Sequence, residues 1–190
     1  MFITPPDYPS FVSHQMEILD HFLLDMKDIL VRPIVAGGAP RSWFFHERAK
    51  DIDIFLPPTD IPELLIKLQS VYPQKSFDVK LTQDLLPEYQ APYLNGVISF
   101  TINRVKFQLI IQSEDVHPFS FFPINICLIS YENYCITYGV EFLYAIRHHT
   151  LKIKSNTPPK YFMKIMSYFP TFRVLFFEER APVLRNTLFD

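Results

Sequence analysis

Cysteine is scarce in this chain. Cys127 and Cys135 are the only two in 190 residues, and neither belongs to a CxxC pair or a Cys/His zinc spacing. A disulfide framework is thereby excluded, and two thiols in a chain of this size fit a reducing compartment. Strands pairing across a turn at 131–133 would bring the two cysteines near each other, but burial as ordinary free thiols is the expected state. Glycine is scarce too: there are four, two of them adjacent at Gly37 and Gly38.

Long apolar runs are missing. The longest, Phe119 to Ser130, contains Pro123 and is too short to span a bilayer. No basic region followed by an apolar run opens the chain, so no secretory signal is expected. An excess of one charge is also lacking: 18 Lys and Arg against 20 Asp and Glu leave a net charge of −2. That removes a global electrostatic case for binding DNA or other long nucleic acid and leaves room only for a local basic patch. These features predict a soluble, cytoplasmic protein with no membrane partner.

What the chain has in quantity is aromatic carbon. Nineteen Phe and ten Tyr within 48% apolar residues predict a core built on rings, with some ring surface exposed, in one domain over 1–190. Residues 1–9 hold three prolines and read as an extended arm. Ser10 stands where a cap is expected for a helix over about 11–30, with Val12, Met16, Leu19, Leu23, Met26 and Leu30 on one face. Ile34–Ala36 reads as a buried strand, Pro40 opens a short helix to about His46, and Asp51–Leu56 is a second strand stopped by Pro57-Pro58. Thr59 or Asp60 caps a helix to Val71. The reading continues with a strand near Phe77–Leu81, a turn at Asn95-Gly96 and paired strands at Val97–Ile102 and Val105–Gln112. Strands at Pro123–Ser130 and Tyr134–Tyr138 follow, then a helix from Val140 to Arg147 and a strand at Leu151–Lys154. A helix from Pro159 to Tyr168 and a helical start to the tail from Thr171 complete it. Helices alternate with strands early and hairpins accumulate later, which predicts an α/β (α+β) domain, a mixed β-sheet with flanking helices.

Residues 34–56, IVAGGAPRSWFFHERAKDIDIFL, read as chemistry. Gly37-Gly38 lies between a strand and a helix, where bare backbone and unpaired N–H groups can meet an anion. Alone, such a pair reads first as a tight turn. Asp51 and Asp53 are two apart on a strand and project to the same face. Like charges that close are costly without a cation between them, and aspartate is a poor strand former. The pair therefore points to a site for Mg2+ or Mn2+ beside a phosphate; a strand with one solvated face is the plainer alternative. The guanidinium fork of Arg41 matches phosphate oxygens.

GGAPR followed by KDIDIFL resembles the GGxxRD turn and DxD strand in the head domain of CCA-adding enzymes and bacterial poly(A) polymerases. These belong to the nucleotidyltransferase superfamily, with its polymerase-beta-like fold. Phe121-Phe122-Pro123-Ile124-Asn125 occupies the place and shape of that family's RRDFTIN segment. The likeness covers about residues 10–155 and leaves 156–190 as a C-terminal helical extension. It implies that Gly37, Gly38 and Arg41 hold the triphosphate of ATP or another NTP, and that Asp51 and Asp53 are catalytic metal ligands. Lys50 and Gln108 would join the nucleotide-binding set. The implied reaction moves a nucleoside monophosphate to an acceptor hydroxyl on RNA, a protein or a small molecule and releases pyrophosphate. Short heads of this kind resemble those of phage and mobile-element genomes, which implies a viral source and the host cytoplasm.

The chain departs from the family at definite points. Ser42 stands where the family has aspartate after the arginine, and Gln108 stands where many members carry a third acid. An amide can coordinate through oxygen or bond a ribose, but it brings no charge. Phe119-Ser120-Phe121 replaces the sugar-contacting Arg-Arg-Asp, and no EDxxR base-reading segment is found, so template-free tRNA tailing is not expected. The competing reading is a catalytically lapsed fold that binds a nucleotide or a protein partner. Elsewhere, His46, His117, His148 and His149 lack metal-ligand spacing. His148 and His149 with Lys152, Lys154, Lys160 and Lys164 make the C-terminal third locally basic, either a solvated surface or a patch for an acceptor's phosphates.

Overall fold

The computed structural model describes residues 8–85, 93–132 and 135–178. The expected arm up to residue 7, Asn133-Tyr134 and the end of the C-terminal extension, 179–190, lie outside them.

Period-two alternation of apolar and polar side chains sorts the strands. They are β1 Ile34–Ala36, β2 Ile52–Leu56, β3 Asp78–Leu81, β4 Leu94–Ile102, β5 Val105–Gln112, β6 Ile129–Glu132 and β7 Cys135–Tyr138. All seven join one mixed sheet in the order β3–β4–β5–β2–β1–β6–β7. Within it β2 and β5 run parallel, and the remaining pairs are antiparallel. Ile52, Ile54 and Leu56 of β2, Phe107 and Leu109 of β5, and Ile98 and Phe100 of β4 share one buried face. Helix α1 (Ser10–Asp25) packs on it through Ile18, Leu19 and Phe22, and α3 (Ile61–Val71) through Leu64 and Leu68. Phe22 lies at the centre, its ring centroid 5.3 Å from Phe100 and 5.2 Å from Phe107, so the aromatic core is realised.

A second apolar cluster is built from the C-terminal elements. These are α4 (Val140–His148), α5 (Pro159–Tyr168) and two parallel strands, β8 (Thr150–Lys154) and β9 (Arg173–Phe177). Cys127, Ile129, Phe142, Leu151, Ile153 and Ile165 are among its buried members. Between β1 and β2 lies α2, Gly38–Phe44.

Local chemistry explains several boundaries. Asp60, not Thr59, caps α3, its Oδ1 accepting from the Glu63 N–H at 2.8 Å. The β4–β5 hairpin turns at Asn103-Arg104, whose φ values of 48° and 67° match the turn geometry that suits twisted strands.

Five expectations are corrected. Ser10 is the first residue of α1 rather than its cap, and the helix ends at Asp25. Asn95-Gly96 does not turn the chain. It lies inside β4 at an irregularity in register, where a Cβ on Gly96 would come 2.8 Å from Ile61 Cδ1. The segment Pro123–Leu128 is not a strand, because Asn125 diverts it into a tight turn. The Asn125 amide donates to the Glu141 and Thr150 carbonyls and accepts from the Lys152 N–H. The tail from Thr171 is not helical; residues 173–177 are β9, recruited by pairing with β8. Cys127 is buried as expected, but Cys135 is exposed, and both are free thiols. Among the described residues no helix is long and apolar enough to cross a membrane.

Candidate active site

With Ile52 and Ile54 turned into the core, Asp53 projects from the opposite face of β2. Register decides its neighbours. Asp53 pairs with Gln108 of β5, Gln108 with Ser99 of β4, and Ser99 with Asp78 of β3. Directly paired residues share a face, so a polar row crosses the sheet. Gln108 Nε2 donates to Ser99 Oγ at 3.4 Å.

Asp51 sits half-buried just ahead of β2. Asp53 is half-buried as a residue, yet its Oδ1 is shut off from solvent and has no hydrogen-bond partner among the described residues. Burial first, and then the charge of Asp51, push Asp53 from an ordinary aspartate's 3.8 up to about 7; Lys164, Lys106 and Arg41 pull in the other direction. A buried acceptor without a partner is costly. Hard oxygen donors are what Mg2+ or Mn2+ prefers, and such ions complete their shells with phosphate and water. The residues present fit that description: two carboxylates and one amide oxygen. Among the described residues no group of three or more His, Cys, Asp and Glu is placed to hold a metal.

The glycine turn adjoins this pair. Gly37 ends β1 with a φ of 81°, a left-handed value that favours glycine, and its N–H donates to the Ile129 carbonyl at 3.2 Å. A Cβ on Gly37 would lie 3.4 Å from Phe122 Cζ, whereas one on Gly38 would meet nothing within 4 Å. The backbone at Gly38 is therefore open to close approach. Phe122 adjoins the turn. Phe122 packs edge-on against Phe55 at 5.7 Å, and Phe121 stacks on Tyr93 at 3.7 Å.

Arg41 is only 8% exposed. Its Nη1 donates to Cys127 Sγ at 3.3 Å, and its guanidinium lies 5.6 Å from the centre of the Tyr168 ring. Cys127 Sγ is in turn 3.2 Å from Tyr161 Oη. Burial, the adjoining Cys127 and the charge of Asp53 raise the Tyr161 phenol well above its ordinary value, with Arg41 opposing. The guanidinium expected on a triphosphate is thus already held between Cys127 and Tyr168 of α5. Lys50 is exposed and is not among the cations that act on Asp53.

Two cations that do act there carry no motif. Lys106 precedes Gln108 by two residues, so strand period alone places it on the same face. Lys164 registers in the sequence only as one charge in a basic stretch, because α5 reaches the site through tertiary packing. A cleft of about 230 Å3 opens between Arg41 and Ser42 on α2 and Tyr168 and Phe169 at the end of α5. A second, of about 200 Å3, is lined by Ile34, Phe55, Gln112 and His117 among others. Neither is lined by Asp51 or Asp53.

No protein-family profile and no curated protein sequence matches the chain. Solved structures do. A tRNA-processing enzyme in an apo form aligns over 92% of this chain and 46% of its own, with a TM-score of 0.59 at 13% identity. A Thermotoga maritima CCA-adding enzyme complexed with tRNA aligns over 86% and 42%, TM-score 0.58 at 11% identity. A CCA-adding enzyme in complex with ATP aligns over 87% and 41%, TM-score 0.54 at 11% identity. The fold is that of a nucleotidyltransferase. The chain spans less than half the length of these nucleotidyltransferase structures, and identities this low speak for the fold alone.

Proposed function

We propose that this chain is a metal-dependent nucleotidyltransferase that transfers a nucleoside monophosphate from an NTP to an acceptor hydroxyl and releases pyrophosphate. The observation that carries the reading is the partnerless, buried Oδ1 of Asp53, beside Asp51 and opposite Gln108 on a sheet of this fold. Asp51 and Asp53 would hold Mg2+ or Mn2+, with the Gln108 amide oxygen as a neutral third donor. When bound, the ion supplies charge neutralisation at the phosphate oxygens. The open backbone at Gly38 lets the phosphate chain lie close to the turn, and Lys106 offsets its charge from the β5 side. In the transfer, the acceptor oxygen bonds to the α-phosphorus, the bond from that phosphorus to the bridging oxygen breaks, and pyrophosphate departs. The hydroxyl proton passes to water. Such chemistry needs positioning and charge neutralisation more than covalent participation. The acceptor is RNA, a protein side chain or a small molecule; the CCA-adding neighbour bound to tRNA favours RNA as the first to try.

Thermal melting with each NTP and Mg2+ or Mn2+, followed by incubation with labelled NTPs and candidate acceptors, tests the proposal. We expect a metal-dependent stabilisation by at least one NTP that is lost in Asp51→Ala/Asp53→Ala, and label transfer by the wild type alone. No shift with any nucleotide would overturn it. The neutral Gln108 and the engaged Arg41 support a second reading, a lapsed enzyme that binds nucleotides. Tight, metal-dependent NTP binding without label transfer to any acceptor would decide for it.

A further inference from the structure

We propose that β9 is the contact strand of a homodimer, pairing antiparallel with β9 of a second copy across a two-fold axis at Leu175. The proposal goes beyond the nucleotidyltransferase reading and does not depend on it.

The backbone defines the surface. Among the described residues β9 pairs with β8 alone. In that parallel ladder the Arg173 N–H donates to the His149 carbonyl at 2.8 Å, and the Phe177 carbonyl accepts from the Ser155 N–H at 2.9 Å. Backbone groups alternate sides along a strand. Residues 173, 175 and 177 therefore face β8, while the N–H and C=O of Val174 and Phe176 face away from it, with no partner among the described residues. Soluble proteins blunt such an edge with lysine, proline or a bulge. β9 has none of these: it reads RVLFF in unbroken register, and Phe176 is 63% exposed.

The symmetry of the edge selects its occupant. Val174 and Phe176 are two apart, so a second β9 turned end for end sets Val174 opposite Phe176 twice. All four open groups then bond at once, and each cross-strand pair puts a β-branched side chain against a ring. Leu175 meets its own copy at the axis. Charge sets the direction. Arg173 opens the strand and Glu178 follows it, both exposed, so antiparallel copies bring each cation near the other's acid, whereas parallel copies set like beside like.

The helices agree with this arrangement. α5 lies over both strands, with Phe162 5.8 Å from Phe176 between ring centroids and Ile165 in the cluster that holds Leu151 and Ile153. The axis stands normal to the sheet, which places both copies of α5 on one face. They are then two strand spacings apart, about 10 Å, the distance at which helices pack. Met163, exposed on α5 next to Phe162, supplies apolar surface for that contact. Assembly closes at two copies. The far side of β8 is already occupied, by the Ile124–Ile153 bridge and by the Lys154 N–H on the Pro123 carbonyl.

Sedimentation of the full chain over a wide concentration range tests the proposal, with Phe176→Lys, Val174→Pro and, as a control, Val140→Lys at an exposed apolar residue outside β9. Proline at 174 removes an outward donor and leaves the N–H groups that face β8 in place. We expect twice the chain's mass for the wild type and the control, and the single-chain mass for both edge variants. A second measurement reads the pairing without breaking it. The axis brings the two Leu175 Cα atoms to about 4.5 Å, within disulfide reach. Leu175→Cys in a Cys135→Ser background should cross-link on mild oxidation, and Val174→Cys in that background should not. A wild type of single-chain mass at every concentration overturns the proposal. So does a dimer that survives both edge variants, or one that Leu175→Cys does not cross-link. Slow amide exchange at Val174 and Phe176 in a single-chain species would give the edge to another part of the same chain, and that too overturns the second copy.

Discussion

The two faces of β2 follow the same alternation and have opposite energetics. On one face Ile52, Ile54 and Leu56 are closed in by α1 and α3, with every group satisfied by packing. On the other, Asp53 holds an oxygen closed off from solvent and without a hydrogen-bond partner among the described residues. The first face contributes the stability that lets the second be unfavourable in the absence of a ligand. Functional carboxylates are commonly found in such strained surroundings, and the contrast can be tested one face at a time.

The largest effect is expected on the packed face. Ile54→Ala should lower the free energy of unfolding by about 2–5 kcal/mol, read by chemical denaturation. It should leave NTP affinity unchanged under conditions where the fold persists. A parallel loss of affinity would show that the two faces are coupled.

Next comes the titration of Asp53. Its folded value, about 7, lies above an ordinary aspartate's 3.8, so between those values the folded chain keeps a proton that the unfolded chain has released. Stability from this group is full below about 4 and is lost as pH rises through about 7. Asp53→Asn should therefore stabilise the chain at pH 8, by about 2–4 kcal/mol at most, and flatten the rise in melting temperature expected of the wild type on acidification from pH 8 to 5. Mg2+ at pH 8 should stabilise the wild type and not the variant. An unchanged pH profile in Asp53→Asn would remove the idea of a strained face.

The smallest effects separate the two glycines. Gly37→Ala forces a side chain into a left-handed backbone beside Phe122 and should cost about 1–2 kcal/mol in a melting experiment. Gly38→Ala meets open space and should be neutral or slightly stabilising, yet should weaken NTP binding because its Cβ would occupy the approach to the turn. Equal behaviour of the two variants would collapse the distinction between a turn glycine and a ligand glycine.

Much of this arrangement is legible in the sequence, and what is legible shares a cause. β1, β2, β5 and α3 are written in local periodicity, a proline pair and an aspartate cap, and the projection of Asp53 away from Ile52 and Ile54 follows from strand geometry. Gln108 as the place of the third acid follows the resemblance, while its position opposite Asp53 comes from the β2–β5 register. The failures are non-local. Nothing within Arg173–Phe177 specifies a strand rather than a helix until β8 is beside it. Nothing around Arg41 says that its guanidinium will meet Cys127, 86 positions away. Lys164 is indistinguishable from its neighbouring lysines until Tyr161 and Tyr168 fix which way α5 faces. Asn125 misleads in the opposite sense: an apolar run around one amide reads as a strand, and that amide finds three backbone partners instead.

The parallel pairing of β8 with β9 has a mechanical consequence. Parallel neighbours cannot be joined by a hairpin, so α5 is the crossover between them, tethered at both ends to a single five-pair ladder. It cannot swing aside as a flap on one hinge. Any movement that lifts Tyr161 and Tyr168 from Cys127 and Arg41 must break β9 from β8 or stretch both connections, so the ladder and α5 form one cooperative unit. Amide exchange in β9 should then slow whenever the site is filled, although β9 contributes no residue to it.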